Sequence, residues 1–106
     1  MNPARGEVWL LERPNRKPRP VLVLLRDEAI EGLNRILVVP STTEGARHIP
    51  THVWLDEADG MREPCALTLD NTFAARKALL THRITELGAA KMDEVCRALA
   101  LATSCG

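Results

Sequence analysis

The sequence predicts an α+β fold: a small, strongly curved antiparallel β-sheet or partly open barrel, covered on one side by a C-terminal amphipathic helix. Two patterns carry that expectation. Five or six short runs rich in β-branched, aromatic and large aliphatic residues recur through the first 85 or so positions, each bounded by Pro, Gly, Asn or charge. A final run then changes period, with apolar residues three and four apart. The chain is 106 residues long, 45% of them hydrophobic, and no internal segment is biased enough to be a linker, so residues 1–106 are read as one domain. A domain of this size buries roughly 60–70% of the surface its unfolded chain exposes, enough for one ordinary core.

Glu7-Val8-Trp9-Leu10-Leu11 reads as the first strand. Val21 to Leu25 is apolar at every position, as expected of a central strand covered on both faces, and its five-residue length favours strand over buried helix. Arg35-Ile36-Leu37-Val38-Val39 is the third, followed by Pro40-Ser41-Thr42-Thr43, whose residue types are those of an ordinary turn. Thr51-His52-Val53-Trp54-Leu55 and Cys65-Ala66-Leu67-Thr68-Leu69 follow, with Asp56-Glu57-Ala58-Asp59-Gly60 between them as a turn. Leu79 to Ile84 is a sixth short strand, and Ala74-Ala75-Arg76-Lys77-Ala78 before it is expected to form a single helical turn. From Ala89 to Ala102, the residues Met92, Val95, Cys96, Leu99 and Ala102 define one apolar helix face.

Net charge is zero, with 14 basic and 14 acidic residues, but the signs are unevenly spread. Residues 1–26 hold six cations against Glu7 and Glu12, and four of the six fall in Arg13-Pro14-Asn15-Arg16-Lys17-Pro18-Arg19-Pro20, where three prolines keep the backbone extended. Such a loop suits phosphate binding; it equally suits a solubilising surface loop entering a strand. The cysteines Cys65, Cys96 and Cys105 suggest neither a disulfide framework nor a zinc pair. Cys65 and Cys96 are read as small hydrophobes and Cys105 as an exposed thiol. No apolar run approaches the roughly 18 residues of a membrane span, and the first residues lack a secretory pattern, so a cytoplasmic location without membrane contact is expected.

Glycine-rich phosphate loops, paired histidines at metal spacing and nucleophile elbows are absent from the sequence, which argues against nucleotide hydrolysis and zinc chemistry. The scattered His48, His52 and His82 read as loop or strand-face residues. Polar groups gather instead just past apolar runs, at Arg26-Asp27, Ser41-Thr42-Thr43 and Asp70-Asn71-Thr72, where loop residues on a rigid scaffold often carry function.

Taken in order, Arg5-Gly6-Glu7-Val8-Trp9, Arg19-Pro20-Val21-Leu22-Val23-Leu24, Val39-Pro40-Ser41-Thr42-Thr43, Pro50-Thr51-His52-Val53, Leu69-Asp70-Asn71 and the final amphipathic helix resemble the MazF/PemK toxin endoribonucleases over nearly the whole chain. The resemblance implies an SH3-like barrel, a homodimer, inhibition by a cognate antitoxin protein, and metal-independent, cofactor-free cleavage of RNA by 2′-hydroxyl attack. Carried over by motif, Arg19 and Thr42 are the expected catalytic residues, and Ser41, Thr43 and Asn71 are expected near the RNA. Arg16 and Lys17, in the basic loop beside Arg19, join them as RNA-binding candidates. His52 is the candidate base nearest to these motifs that titrates near neutral pH.

Two departures from the family pattern stand out. Only Glu12 to Pro18 separate the first strand from Arg19, where many members have a longer loop with a Gly-Ser-Glu segment, and Arg26 stands where Ser or Asn is common before Asp. Two other readings use the same fold: a non-catalytic inhibitor that binds a protein such as DNA gyrase, as CcdB toxins do, and an RNA-binding module without turnover.

Overall fold

The computed structural model describes residues 2–106. Seven strands form one curled antiparallel sheet: β1 (Glu7–Leu11), β2 (Arg19–Val23), β3 (Arg35–Thr42), β4 (His52–Leu55), β5 (Cys65–Thr68), β6 (Phe73–Arg76) and β7 (Leu80–Glu86). Their order is β4-β5-β3-β2-β1-β7, with β6 paired to β3 outside that path. A one-turn helix α1 (Asp27–Ile30) joins β2 to β3, and α2 (Ala89–Thr103) closes the chain. This is the α+β half-barrel with a C-terminal helix that the sequence predicts. Among the described residues no helix is long and apolar enough to cross a membrane.

β2 is the central strand its composition demands. Leu22 points into one core with Val8, Val39, Leu55, Leu67 and the α2 residues Val95 and Ala98; Val21 and Val23 point into a second with Trp9, Leu11, Ile36 and Val38. Both faces of β2 are therefore dry, and the alternation along the strand sends successive side chains to different cores. In α2 the buried stripe is Val95 and Ala98, flanked by the partly buried Met92, Leu99 and Ala102.

Several expectations are corrected. Ala74–Ala78 does not form a helical turn: Phe73–Arg76 pairs with Val38–Arg35 as β6, and only Lys77–Leu79 makes a short 3-10 turn. The open edge of β3 offers those residues a ladder of hydrogen bonds, which overrides the local helix propensity of alanine. β3 runs through Pro40 and Ser41 to Thr42, so those residues lie on the strand and not in a turn after it. It bends there, leaving β2 after Val21↔Pro40 and taking β5 at Ser41↔Leu67 and Thr42↔Ala66. Cys96 is exposed at the margin of the helix stripe, with its sulfur 3.6 Å from Arg5 Nη2. Cys65 is buried and Cys105 exposed, as expected. The turn after β4 is also as expected: Asp56 and Asp59 form a capping box, and Gly60 takes a φ of 95° that favours glycine.

One carboxylate ties the β1–β7 edge together. Glu7 Oε1 accepts from Ala4 N at 2.8 Å and from Trp9 Nε1 at 3.0 Å, and Oε2 accepts from Arg83 Nε at 2.7 Å. Burial pushes this carboxyl up, but the hydrogen bonds from Trp9, Arg83 and Ala4 and the Arg83 charge overcome it and hold the group below its ordinary 4.5. A carboxylate depressed by folding contributes its stability in full above the unfolded value and loses it as pH falls through the folded one. Glu7→Gln should therefore melt below wild type at neutral pH, with the two melting temperatures converging as pH falls below 4.5. A gap unchanged down to strong acid would show that the charge contributes nothing.

Candidate active site

The start of β2 and the end of β3 meet because of their register. The pairs Val23↔Val38, Leu22↔Val39 and Val21↔Pro40 are antiparallel partners. Continued by two residues, that register sets Pro20 opposite Ser41 and Arg19 opposite Thr42. A side-chain bond holds the continuation where the ladder itself diverges, Ser41 Oγ donating to Pro20 O at 2.6 Å. Thr68 Oγ1 donates to Pro40 O at 3.3 Å on the other side of β3. Proline at 40 has no N–H to lose, so the bend toward β5 leaves no orphaned donor at that point.

Arg19 and Thr42 thus share one cleft of about 400 Å³, together with Lys17, Ser41 and Thr43. Of the other sequence candidates, Arg16 and Asn71 are not among its lining residues. Arg16 is exposed in the turn that Asn15 makes at a φ of 61°, and Asn71 lies in a 3-10 turn with Nδ2 3.5 Å from Thr68 Oγ1. His52 is on β4, paired with Thr68, and does not line the cleft either. The basic loop is held back over the sheet by Arg13, whose guanidinium carbon lies 5.4 Å from the Phe73 ring centroid.

The far wall was not foreseen from sequence. Met61, Arg62 and Glu63 come from the β4–β5 connection, and Cys65 and Ile84 are from β5 and β7. Their sequence signal is only a charged pair between apolar residues; what brings them to Arg19 is the pairing of β5 with β3. The lining therefore carries three cations, Lys17, Arg19 and Arg62, and one carboxylate, Glu63. Burial pushes the Cys65 thiol up, the charge of Asp59 adds to this, and a hydrogen bond with Ser41 opposes it. Cys65 is consequently a neutral thiol at pH 7, not a nucleophile. Thr42 Oγ1 accepts from Glu44 N at 3.1 Å, which orients the hydroxyl and leaves its hydrogen free to donate. The three cations and the hydroxyls of Ser41, Thr42 and Thr43 give the cleft the kind of donors a phosphate accepts from.

The family model for PemK-like, MazF-like toxins of type II toxin-antitoxin systems matches residues 4–103. The chain belongs to this family. A MazF-like relative, the probable endoribonuclease MazF5 of Mycobacterium tuberculosis, is 39% identical over 104 residues, covering 97% of this chain and 94% of its own. The solved M. tuberculosis toxin MazF-mt6 superposes with a TM-score of 0.82 at 28% identity, over 92% of this chain and 96% of its own. A mycobacterial endoribonuclease in complex with its cognate antitoxin reaches 0.85 at 25% identity, over 98% and 97%. The MazF/PemK fold foreseen from the ordered motifs is therefore the fold observed.

The Ser41–Pro20 bond is the brace of this MazF-type cleft. Ser41→Ala should cost about 1 kcal/mol of unfolding free energy, measured by chemical denaturation. An unchanged midpoint would show that the strand ends hold their register without it.

Proposed function

We propose that this protein is the toxin of a toxin-antitoxin pair and a sequence-selective endoribonuclease that arrests translation and growth by cutting RNA. The observation that carries the reading is the placement of Arg19 against Thr42 in one cationic cleft. The ribose 2′-oxygen attacks the adjacent phosphorus, a 2′,3′-cyclic phosphate forms, and the 5′-oxygen departs as a hydroxyl. The nucleophile is tethered beside its target, so the reaction needs no metal to gather the reactants. Arg19 binds the phosphate through its planar fork and stabilises the charge that builds in the transition state, and Thr42 donates to the same oxygens. Lys17, Ser41 and Thr43 line the path of the chain, with Arg16 and Asn71 at its approaches.

A guanidinium is a permanent cation and a poor proton acceptor. Glu63 is the carboxylate in the cleft lining, and we assign it the role of base toward the 2′-hydroxyl. His52, outside the lining, is not assigned that role. The reading also includes a homodimer, a cytoplasmic location shared with the RNA, and an antitoxin whose acidic segment folds over Lys17, Arg19 and Arg62 and blocks them.

Wild type incubated with total cellular RNA in EDTA should produce discrete new 5′-hydroxyl ends, mapped by sequencing, and Arg19→Ala and Thr42→Ala should lose them. Absence of such ends with folded wild type, accompanied by inhibition of DNA gyrase, would overturn the reading in favour of a CcdB-like inhibitor. Glu63→Gln should lower kcat roughly 100-fold with little change in KM. Full activity in that variant would remove Glu63 from the mechanism.

A further inference from the structure

The outer face of β4 carries a stack that the cleft chemistry above does not use. Val53 and Leu55 point into the core, so the alternating His52 and Trp54 share the opposite face. Thr42 and Trp54 are both cross-strand partners of Ala66. Thr42, Ala66 and Trp54 therefore form one row across β3, β5 and β4, with only a methyl group between the hydroxyl and the indole. The row spans two strand spacings of about 4.8 Å each, so the indole lies within a nucleotide's reach of Thr42.

Over the indole lies Arg47, its guanidinium carbon 4.3 Å from the ring centroid. Arg47 belongs to the connection between β3 and β4, in which residues 43–50 are all exposed. The platform beneath is fixed, for Trp54 is paired within β4–β5 and its carbonyl accepts from Lys91 Nζ at 3.2 Å. Beside the stack are two buried nitrogens with no hydrogen-bond partner, Trp54 Nε1 and His52 Nδ1. Buried polar atoms are ordinarily paired, and these two on one strand face, next to an indole capped by a cation from an exposed connection, are available to the polar groups of a ligand.

We propose that Trp54 is a nucleobase platform: an unpaired base of the RNA, next to the scissile phosphate, stacks on the indole in place of the Arg47 guanidinium. Arg47 then turns to the flanking phosphate, and the unpartnered nitrogens of Trp54 and His52 receive polar groups of the same nucleotide. Aromatic stacking beside a cation is the chemistry by which proteins hold single-stranded nucleic acid, and every base has a face to offer. A guanidinium and a base are both flat, which makes the exchange possible without rebuilding the strand. The inference rests on the ribonuclease reading above and adds to it a specificity-determining subsite.

The test uses an oligoribonucleotide spanning a mapped cut site, with a 2′-deoxy sugar at the attacking ribose to prevent turnover. In Trp9→Phe protein, Trp54 is the remaining indole, and its fluorescence should be quenched as the oligonucleotide saturates. With cleavable RNA, Trp54→Ala should raise KM roughly 5- to 150-fold, the range expected for loss of one stacked base, while kcat holds. Trp54→Phe should recover most of that loss, which a merely structural tryptophan would not require. Wild-type cleavage combined with an unquenched indole and an unchanged KM in Trp54→Ala would overturn the platform and leave the ribonuclease reading intact. Failure of wild type to cut any RNA would overturn both.

Discussion

The register between β2 and β3 is the constraint on which the remaining structure depends. It is fixed by burial: β2 is dry on both faces, and a slip of one residue would carry Leu22 into the space of Val21 and Val23 and exchange the two cores. The same register that satisfies the cores sets Arg19 opposite Thr42, two residues beyond the last paired Val21↔Pro40. The opposition of Arg19 and Thr42 is thus a consequence of core packing, held at its tip by the Ser41 bond to Pro20.

β3 makes the arrangement possible by serving three neighbours. Arg35–Val38 pair with β6, Val38, Val39 and Pro40 pair with β2, and its last two residues leave for β5. Proline at the point of departure gives up no ladder bond. The divergence of β2 from β5 after Pro40 opens the cleft, and the β4–β5 connection supplies its far wall with Arg62 and Glu63. Outer and inner faces of the β5 region then divide the labour: Cys65 and Leu67 fill the core, while Ala66 links Thr42 to Trp54.

What the sequence made legible follows from locality. The all-apolar Val21–Leu25 run and the three-and-four spacing of α2 are properties of neighbouring residues; the helix is present where expected, and the strand is present two residues earlier, at Arg19–Val23, with Leu24 and Leu25 past its end. Arg19 and Thr42 were found by motif, and the structure lines one cleft with them. Elements decided by distant partners were missed or misread. β6 reads as helix because its alanines say so locally, and it becomes strand because β3 has an open edge. The one-turn α1 was not anticipated, its sequence signal being little more than the buried Ile30. Glu63 and Arg62 belong to the cleft through a pairing between strands far apart in sequence, which no window of adjacent residues reports. Cys96 sits at the edge of the helix stripe, where a small shift in rotation separates buried from exposed.

The central claim is that one phosphate of an RNA strand is held between the start of β2 and the end of β3. A crystal structure with a bound oligoribonucleotide made uncleavable at its attacking ribose tests it most directly. The account predicts the scissile phosphate within hydrogen-bond distance of both the Arg19 guanidinium and Thr42 Oγ1. A phosphate seated elsewhere on the barrel, with those two groups bare, would contradict it.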